Sequence, residues 1–223
     1  RVRTELPPVI AAERYHNDPG LLGDLYETYQ SRGWTEEARR IVDTLSATYP
    51  DGLDAPPHMV AEIVHGSLSL SPRPAPRHAM ASSALGIRLG NPFGFGDGGP
   101  GGWRILDEPE LHLGPQVLVP DLAGWRLERM PDLPDAAWFE LAPDWVCEVL
   151  SPSTRALDLG AKRGLYAEHG VANLWLIDPD ARTLEAFTLD RGGWRLLSTL
   201  TGNAQVSLPP FDAIAFDLGD LWR

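Results

Sequence analysis

The chain has 223 residues, 43% hydrophobic and 22% charged, an ordinary composition for a protein with one sizeable core. No apolar run approaches the ~20 residues that span a bilayer, so no membrane partner is expected. The net charge of −12 excludes a uniformly basic surface, so contact with phosphates requires a local basic rim, a bound cation or a partner. The single cysteine, Cys147, excludes an internal disulfide and a cysteine-rich zinc site, and fits a reducing, cytoplasmic setting.

The spacing of apolar residues over 1–55 differs from that in the rest of the chain, and it predicts a helical arm followed by a linker. Asp18-Pro19 supplies a helix N-cap and a proline suited to the first helical position. Apolar residues recur at helical spacing over 21–29 and again over 35–49, so the pattern predicts an N-terminal helical hairpin. Asp51-Gly52 marks the linker. The apolar stripe of the hairpin indicates a core or dimer contact rather than a functional groove.

Residues 56–223 predict a domain that opens with two strands. Residues 60–64 and 67–70 have strand character, and His65-Gly66 between them predicts the turn of a β-hairpin. A helix is predicted next, over residues 77–89. The side chains expected to face inward from this helix are Met80, Ala84 and Ile87.

The remainder of the domain alternates strands with helices. The glycine-rich stretch 91–102 formally matches a dinucleotide fingerprint, but it lacks the flanking strand and helix and therefore predicts a mobile loop. Strands are predicted at 111–113, 117–121, 145–150, 174–177, 184–189 and 194–197. A helix over 156–169 is the predicted crossover. Together these elements predict an α/β fold with a mixed sheet.

Two carboxylates fall in apolar surroundings. Asp121 ends the strand predicted over 117–121, where a carboxylate is costly unless it is solvated, paired or bound to a metal. Glu148 lies in the middle of the apolar strand 145–150, so it either bonds a structural partner such as arginine or binds a metal. Cys147 points to the opposite face by strand alternation, which indicates core packing rather than thiol catalysis.

Lys162 stands out because it is the only lysine, and the other 18 of the 19 basic residues are arginines. A lone lysine indicates a position that needs a compact ammonium with a tunable pKa. Mg²⁺ chemistry at two carboxylates has such a need, since an ammonium can position water and stabilise phosphate charge. The alternative is a helix-surface ion pair with Asp158, four residues earlier.

The residues around these positions resemble the Uma-two-type endonucleases of the PD-(D/E)XK, restriction-endonuclease-like superfamily. The strings that carry the resemblance are 119–125 and 143–154, with Asp158, Lys162, Tyr166, 170–171, 174–179, and upstream 62–68, Ser71-Pro72 and His78. The resemblance covers roughly residues 58 to 220 and does not include the helical arm. It implies a restriction-endonuclease-like core, a Mg²⁺- or Mn²⁺-dependent endonuclease that hydrolyses phosphodiester bonds in DNA, and a homodimer.

The resemblance also implies roles for individual residues. Asp121 falls on the motif aspartate and Glu148 on the motif glutamate, and together with the carbonyl of Val149 they are implied to hold the metal. The superfamily places its lysine two residues after the glutamate, where this chain has Leu150. The resemblance therefore requires Lys162, on the following helix, to enter the same site.

Other candidates are less specific. Glu62 is a possible accessory carboxylate near the metal, and a solvated or arginine-paired strand glutamate is the alternative. Candidate phosphate-binding residues for the basic rim are Arg73, Arg77, Arg155 and Arg163, unless they pair with the surplus acids. Trp125 and Trp138 are candidates to stack on a base.

Two other classes of function compete with the nuclease hypothesis. The acidic surface and the extra helical arm favour a non-catalytic dimerisation or interaction module on a nuclease fold. The same acidic surface would also suit a phosphodiesterase for small phosphate esters better than it suits DNA. The charged residues at positions 121, 148 and 162 argue against the interaction module, because a decayed site would be free to lose them.

Overall fold

The computed structural model describes residues 59–223, so the helical hairpin predicted within residues 1–55 lies outside the described residues. The strands are β1 (Met59–Val64), β2 (Ser67–Pro72), β3 (Trp103–Asp107), β4 (Leu111–Leu113), β5 (Gln116–Leu118), β6 (Leu122–Arg126), β7 (Trp145–Val149), β8 (Asn173–Asp178), β9 (Thr183–Asp190), β10 (Gly193–Thr201), β11 (Gln205–Val206) and β12 (Phe216–Asp217). The helices are α1 (Pro76–Leu89), α2 (Arg155–Leu157), α3 (Arg163–Glu168), the π-helical segments Gly90–Phe95 and Asp158–Lys162, and a 3-10 helix, Leu218–Trp222. Across this part of the chain, no helix is long and apolar enough to cross a membrane.

The first compact unit comprises, among the described residues, 59–73, Glu110–Val119 and Pro134–Leu141. It is built on a four-stranded sheet in the order β2-β1-β5-β4. The predicted hairpin is confirmed, since β1 and β2 pair in antiparallel register around a two-residue turn. The turn residues His65 and Gly66 have φ values of 48° and 73°, the positive values that a tight two-residue hairpin turn requires.

The second compact unit comprises Pro74–Pro109, Pro120–Leu133 and Ala142–Arg223. Its six-stranded sheet has the order β10-β9-β8-β7-β6-β3. Strands β7 and β8 are parallel, and the other neighbouring pairs are antiparallel. The predicted mixed α/β sheet is therefore confirmed. The helical run from α2 to α3 makes the connection between the two parallel strands, as predicted for the crossover.

An aromatic cluster fixes the centre of this second sheet. The rings of Trp145 and Trp175 meet edge to face with 5.6 Å between their centroids, and Phe211 lies 4.9 and 5.7 Å from them. All three side chains are essentially fully buried. Edge-to-face pairs of this kind add about 0.5–1.5 kcal/mol each beyond burial. The cluster therefore holds β7, the strand that carries Glu148, in a rigid position.

The inward face predicted for α1 is wrong at Met80 and Ile87, whereas Ala84 is partly buried against the core. Met80 and Ile87 are 39% and 63% exposed, whereas the buried residues are His78, Ala81, Ser82, Leu85 and Leu89. Both sets have helical spacing, but the true face includes two polar residues, which a hydrophobic pattern passes over. These polar residues have partners, because Ser82 Oγ donates to Asp107 at 3.3 Å and His78 contacts Asp121.

The strand predicted over 117–121 is also shorter than expected. It ends at Leu118, and Asp121 lies in a bend directly before β6. Pro120 has no N–H to donate to a strand ladder, which explains the break. Strand β6 was not predicted, partly because of Gly124, where a Cβ atom would lie 3.2 Å from the Trp145 ring. The glycine permits a close approach and does not mark a turn.

Asp178, at the end of β8, ties the crossover helix to the turn that follows the strand. Its Oδ1 accepts from the backbone N–H groups of Asp180 and Ala181 at 3.0 and 2.9 Å, and its Oδ2 pairs with Arg155. Burial opposes ionisation, but the Ala181 N–H and the Arg155 guanidinium outweigh it, so the pKa of Asp178 is lowered.

Asp178→Asn is expected to lower the free energy of unfolding by about 1–2 kcal/mol at neutral pH, since it removes a charged hydrogen-bond acceptor. A lowered folded-state pKa means that this stabilisation is complete above the ordinary carboxyl pKa of about 4 and is lost as the pH falls through the folded-state pKa. Urea denaturation at pH 7 and at pH 3 measures the difference between wild type and variant. A difference that stays the same at both pH values would contradict the assignment.

Candidate active site

Asp121 is held from two sides by the second unit. Its Oδ2 accepts from the backbone N–H of Val149, at the end of β7, with a distance of 2.7 Å. Its Oδ1 lies 3.1 Å from Nε2 of His78, near the start of α1. Burial lowers the pKa of His78, but the hydrogen bond and charge of Asp121 and the charge of Asp158 raise it by more, so the net shift is upward. The carboxylate of Asp121 thus has a fixed orientation beside β7.

Glu148 and Lys162 form a buried ion pair. Nζ of Lys162 lies 2.9 Å from Oε1 of Glu148, and the two side chains are 3% and 2% exposed. The hydroxyl of Tyr166, on α3, donates to the same Oε1 at 2.5 Å. Lys162 therefore does reach the strand glutamate from the following helix, as the resemblance requires. A structural bond and a metal-binding role both remain compatible with this contact.

Asp158 completes the surroundings of the lysine. Its Oδ1 lies 3.6 Å from Nζ of Lys162, and its side chain is 3% exposed. The predicted Lys162–Asp158 pair is present, but it is buried and not a surface pair. Both residues belong to the π-helical turn between α2 and α3, and turns of this kind often occur at functional sites. Lys162 therefore contacts both Glu148 and Asp158, and its role in catalysis stays a prediction.

Tyr166→Phe is expected to lower the free energy of unfolding by about 1–2 kcal/mol, because it removes a buried hydrogen bond to a charged oxygen while keeping the ring. In an assay of catalytic turnover, the same change should lower the rate by about tenfold or less, since Glu148 keeps its contact with Lys162. Thermal unfolding and turnover measured on the same preparation test both effects. A variant as stable as the wild type would show that the 2.5 Å contact contributes nothing.

The ligands that the site offers are oxygen atoms, and few in number. Asp121, Glu148 and the carbonyl of Val149 offer oxygen donors, the type that Mg²⁺ prefers. In residues 59–223, no group of three or more His, Cys, Asp or Glu side chains stands ready to hold an ion unaided. Mg²⁺ commonly uses one or two protein carboxylates and completes its shell with water or substrate phosphate, so two carboxylates are sufficient.

The charge of the site also favours a cation. Three carboxylates, from Asp121, Glu148 and Asp158, are grouped with the ammonium of Lys162 and the imidazole of His78. The formal charge of this set is negative whether or not His78 is protonated. Because buried charge of one sign is costly, a divalent cation would stabilise the arrangement. The residues present therefore fit a bound Mg²⁺ or Mn²⁺.

Cys147 takes no part in this chemistry. Its side chain is fully buried, and burial, followed by the charges of Asp121 and Glu148, raises the pKa of its thiol well above the ordinary value. A raised pKa opposes formation of the thiolate that nucleophilic catalysis needs. The prediction that Cys147 packs in the core is confirmed.

The accessory candidates have varied surroundings. Glu62, in the first unit, is 3% exposed, and its Oε1 accepts from the backbone N–H of Val119 at 2.8 Å. Arg73 lies exposed in the same unit. Trp125 is fully buried, so the prediction that it stacks on a base is wrong. Trp138 is instead stacked on His112, with 4.7 Å between ring centroids and 9° between ring planes.

The other three candidate arginines lie in the second unit and already have partners. Arg77 pairs with Asp180 at 3.1 Å, Arg155 pairs with Asp178, and the Arg163 guanidinium lies 4.3 Å from the centroid of the Phe187 ring. The alternative considered from the sequence, pairing with surplus acids, thus describes Arg77 and Arg155 in this state of the protein. Their binding of phosphate stays a prediction.

Comparisons with known proteins identify the fold and the family. The chain is similar to a crystal structure from Anabaena variabilis described as "a putative nuclease belonging to DUF820", with a TM-score of 0.61, 21% identity, and coverage of 81% of this chain and 96% of that chain. The two chains therefore share a fold. The sequence matches the family described as "Uma2: Putative restriction endonuclease" over residues 47–219, and the chain belongs to this family. A comparison with curated proteins found no match.

Proposed function

We propose that the protein is a metal-dependent endonuclease that hydrolyses phosphodiester bonds in DNA. The observation that carries the proposal is the buried contact of 2.9 Å between Lys162 and Glu148, beside the Asp121 carboxylate that accepts from Val149. The family membership supports the nuclease class, and the oxygen donors support the metal. A homodimer in the cytoplasm belongs to the proposal, and sedimentation of the full chain would measure the oligomeric state.

Each residue has a proposed role. Asp121, Glu148 and the carbonyl of Val149 would hold Mg²⁺ or Mn²⁺. A bound divalent ion supplies an acidified water and stabilises charge on the phosphate. Lys162 positions the attacking water and stabilises the phosphate oxygens, because its ammonium is fixed by Glu148. His78 fixes the orientation of Asp121 through Oδ1.

The test is cleavage of supercoiled plasmid and of single-stranded DNA at high protein concentration, with Mn²⁺ or with EDTA. Metal-dependent cutting by the wild type that is lost in Lys162→Ala would support the proposal. Cutting at the same rate by both proteins would point to a contaminant. Absence of cutting by wild type across several metals and salts would overturn the DNA endonuclease, and a generic phosphodiester substrate in the same series would identify an esterase for small phosphates.

A non-catalytic interaction module is the second candidate, and one observation favours it. Glu148 is already bonded to Lys162 and Tyr166, an arrangement that could serve the fold alone. The interaction module predicts that divalent ions leave the stability of the protein unchanged. The nuclease predicts that Mn²⁺ raises the melting temperature, because an ion that binds only the folded state stabilises it.

A further inference from the structure

The second unit contains a polar groove, and none of its lining residues contacts Asp121, Glu148 or Lys162 in the interactions described above. Its volume is about 320 Å³, and it is lined by Arg77, Met80, Pro179, Asp180, Arg182, Leu221, Trp222 and Arg223. A volume of this order matches the lower range of small-ligand sites. Three arginines against one aspartate make the lining basic in a chain whose net charge is −12.

The charges around the groove do not cancel. Arg77 pairs with Asp180 at 3.1 Å, and Asp220 is contacted by both Arg88 and Arg223, at 2.5 and 2.7 Å. Arg88 and Asp220 lie outside the lining, so with Arg182 the lining itself has three guanidinium groups and one carboxylate, a surplus of two positive charges. Arginine guanidinium groups are well suited to bind phosphate oxygens through paired hydrogen bonds.

At two points in the chain, a residue of the groove is next to a residue that contacts the candidate active site or the helical run beside it. Arg77 lines the groove, and the next residue, His78, contacts Asp121. Pro179 lines the groove, and the preceding residue, Asp178, pairs with Arg155 on the helical run that carries Lys162. Adjacent Cα atoms are about 3.8 Å apart, so at these two points the backbone that carries the groove adjoins the backbone that carries the site.

One aromatic side chain completes the lining. The indole N–H of Trp222 donates to the carbonyl of Gly202 at 2.8 Å, which fixes the orientation of the half-buried ring. A fixed ring beside guanidinium groups is the combination with which proteins hold a nucleic-acid strand without reading its sequence. A free phosphate ester would use the arginines but would not need this ring.

We propose that this groove binds the phosphate backbone of the nucleic-acid strand whose cleavage is proposed above, one or more nucleotides away from the reacting phosphate. The inference rests on the proposed function and adds a second binding site, formed by Arg77, Arg182 and Trp222. It also supplies the local basic surface that an acidic protein needs in order to approach DNA.

Two turns in this sheet provide a matched test. Arg182 follows β8 and Arg191 follows β9; both are exposed, and both have a φ of 52°. Asparagine tolerates this left-handed backbone conformation, so Arg182→Asn and Arg191→Asn remove the same charge with little strain. Only Arg182 lines the groove. Asp180→Asn removes the acidic side chain of the lining and keeps the backbone N–H that donates a hydrogen bond to Asp178.

The experiment is fluorescence anisotropy of a labelled 12-nucleotide single strand and of a duplex, in EDTA, over a range of salt concentrations. Arg182→Asn should weaken binding by about tenfold, because one phosphate contact is lost. The slope of log affinity against log salt concentration should become less steep by about one unit, since one fewer counterion is released. Arg191→Asn should stay within about twofold of wild type, the range of a distant surface charge. Asp180→Asn should tighten binding.

Equal affinities for the Arg182 and Arg191 variants would overturn the proposal, as would absence of binding by the wild type. A mononucleotide that competes as strongly as the 12-mer, at equal phosphate concentration, would also overturn the proposal. The ligand of the groove would then be a small phosphate ester and not a strand.

The cleavage assay is separate. Binding that depends on Arg182 without any cleavage would contradict the endonuclease and leave the groove supported, whereas cleavage unaffected by Arg182→Asn would contradict the groove alone.

Discussion

Lys162→Met will lower the free energy of unfolding by about 3–5 kcal/mol in metal-free buffer, because it leaves Glu148 and Asp158 buried without their shared ammonium. Mn²⁺ should restore much of this loss, since a divalent cation replaces the missing positive charge. At a concentration one hundred times its dissociation constant, a ligand of the folded state adds about 2.7 kcal/mol. Urea denaturation with EDTA and with Mn²⁺ measures both effects.

The control for this prediction is the double variant Glu148→Gln, Lys162→Met. Removing the carboxylate that the ammonium neutralised should make the double variant more stable than Lys162→Met alone, a coupling of about 0.5–3 kcal/mol for residues in contact. If Lys162→Met is as stable as the wild type, the ion pair has no energetic role. If Mn²⁺ restores nothing, the interaction module gains support over the nuclease.

Asp121→Asn will lower metal-dependent cleavage by about a hundred- to a thousandfold, the loss typical for a group that stabilises transition-state charge. The fold should be retained, because the asparagine carbonyl can still accept from the Val149 N–H. Initial rates of plasmid nicking at several Mg²⁺ concentrations measure the effect. A requirement for much more Mg²⁺ would indicate a lost metal ligand, whereas a lower rate at saturating Mg²⁺ would indicate a lost contact in the transition state.

Asp144 provides a closely matched control. Its side chain is 15% exposed and that of Asp121 is 14% exposed; like Asp121, it accepts from a backbone N–H, that of Arg126. Its ion pair is with Arg129, at 2.8 Å. Asp144→Asn should therefore affect stability to a similar extent and leave cleavage unchanged. Equal loss of cleavage in both variants would show that Asp121 acts only through the fold.

Much of the second unit could be predicted because its strands are apolar and bounded by clear turns. The mixed sheet and the crossover helix follow from hydrophobic runs at 145–150 and 174–177 and from helical spacing between them. Strand β6 could not be predicted in this way, since Gly124 is kept by its contact with Trp145, a tertiary effect. The prediction of the buried face of α1 failed for a similar reason. His78 is buried because it contacts Asp121, and a pattern of hydrophobic residues does not predict such a contact.

The site was predictable in part. Asp121, Glu148 and Lys162 stood out as polar residues in unusual positions, and the structure brings Lys162 to Glu148 and Asp121 to Val149. Tyr166 was among the residues that carry the resemblance, but its contact with Glu148 was not predicted, since a tyrosine at helical spacing is ordinary core. Arg77 was a predicted phosphate contact, but its grouping with Arg182 in one groove was out of reach, because the two residues are more than a hundred positions apart in the chain.

The two-carboxylate metal centre is the central claim, and titration calorimetry with Mn²⁺ tests it most directly. The wild type is expected to bind Mn²⁺ saturably, and the Asp121→Ala, Glu148→Ala double variant is expected to show no binding while remaining folded by circular dichroism. Unchanged binding by the folded double variant, or no binding by the wild type, would contradict the claim that Asp121 and Glu148 hold a metal.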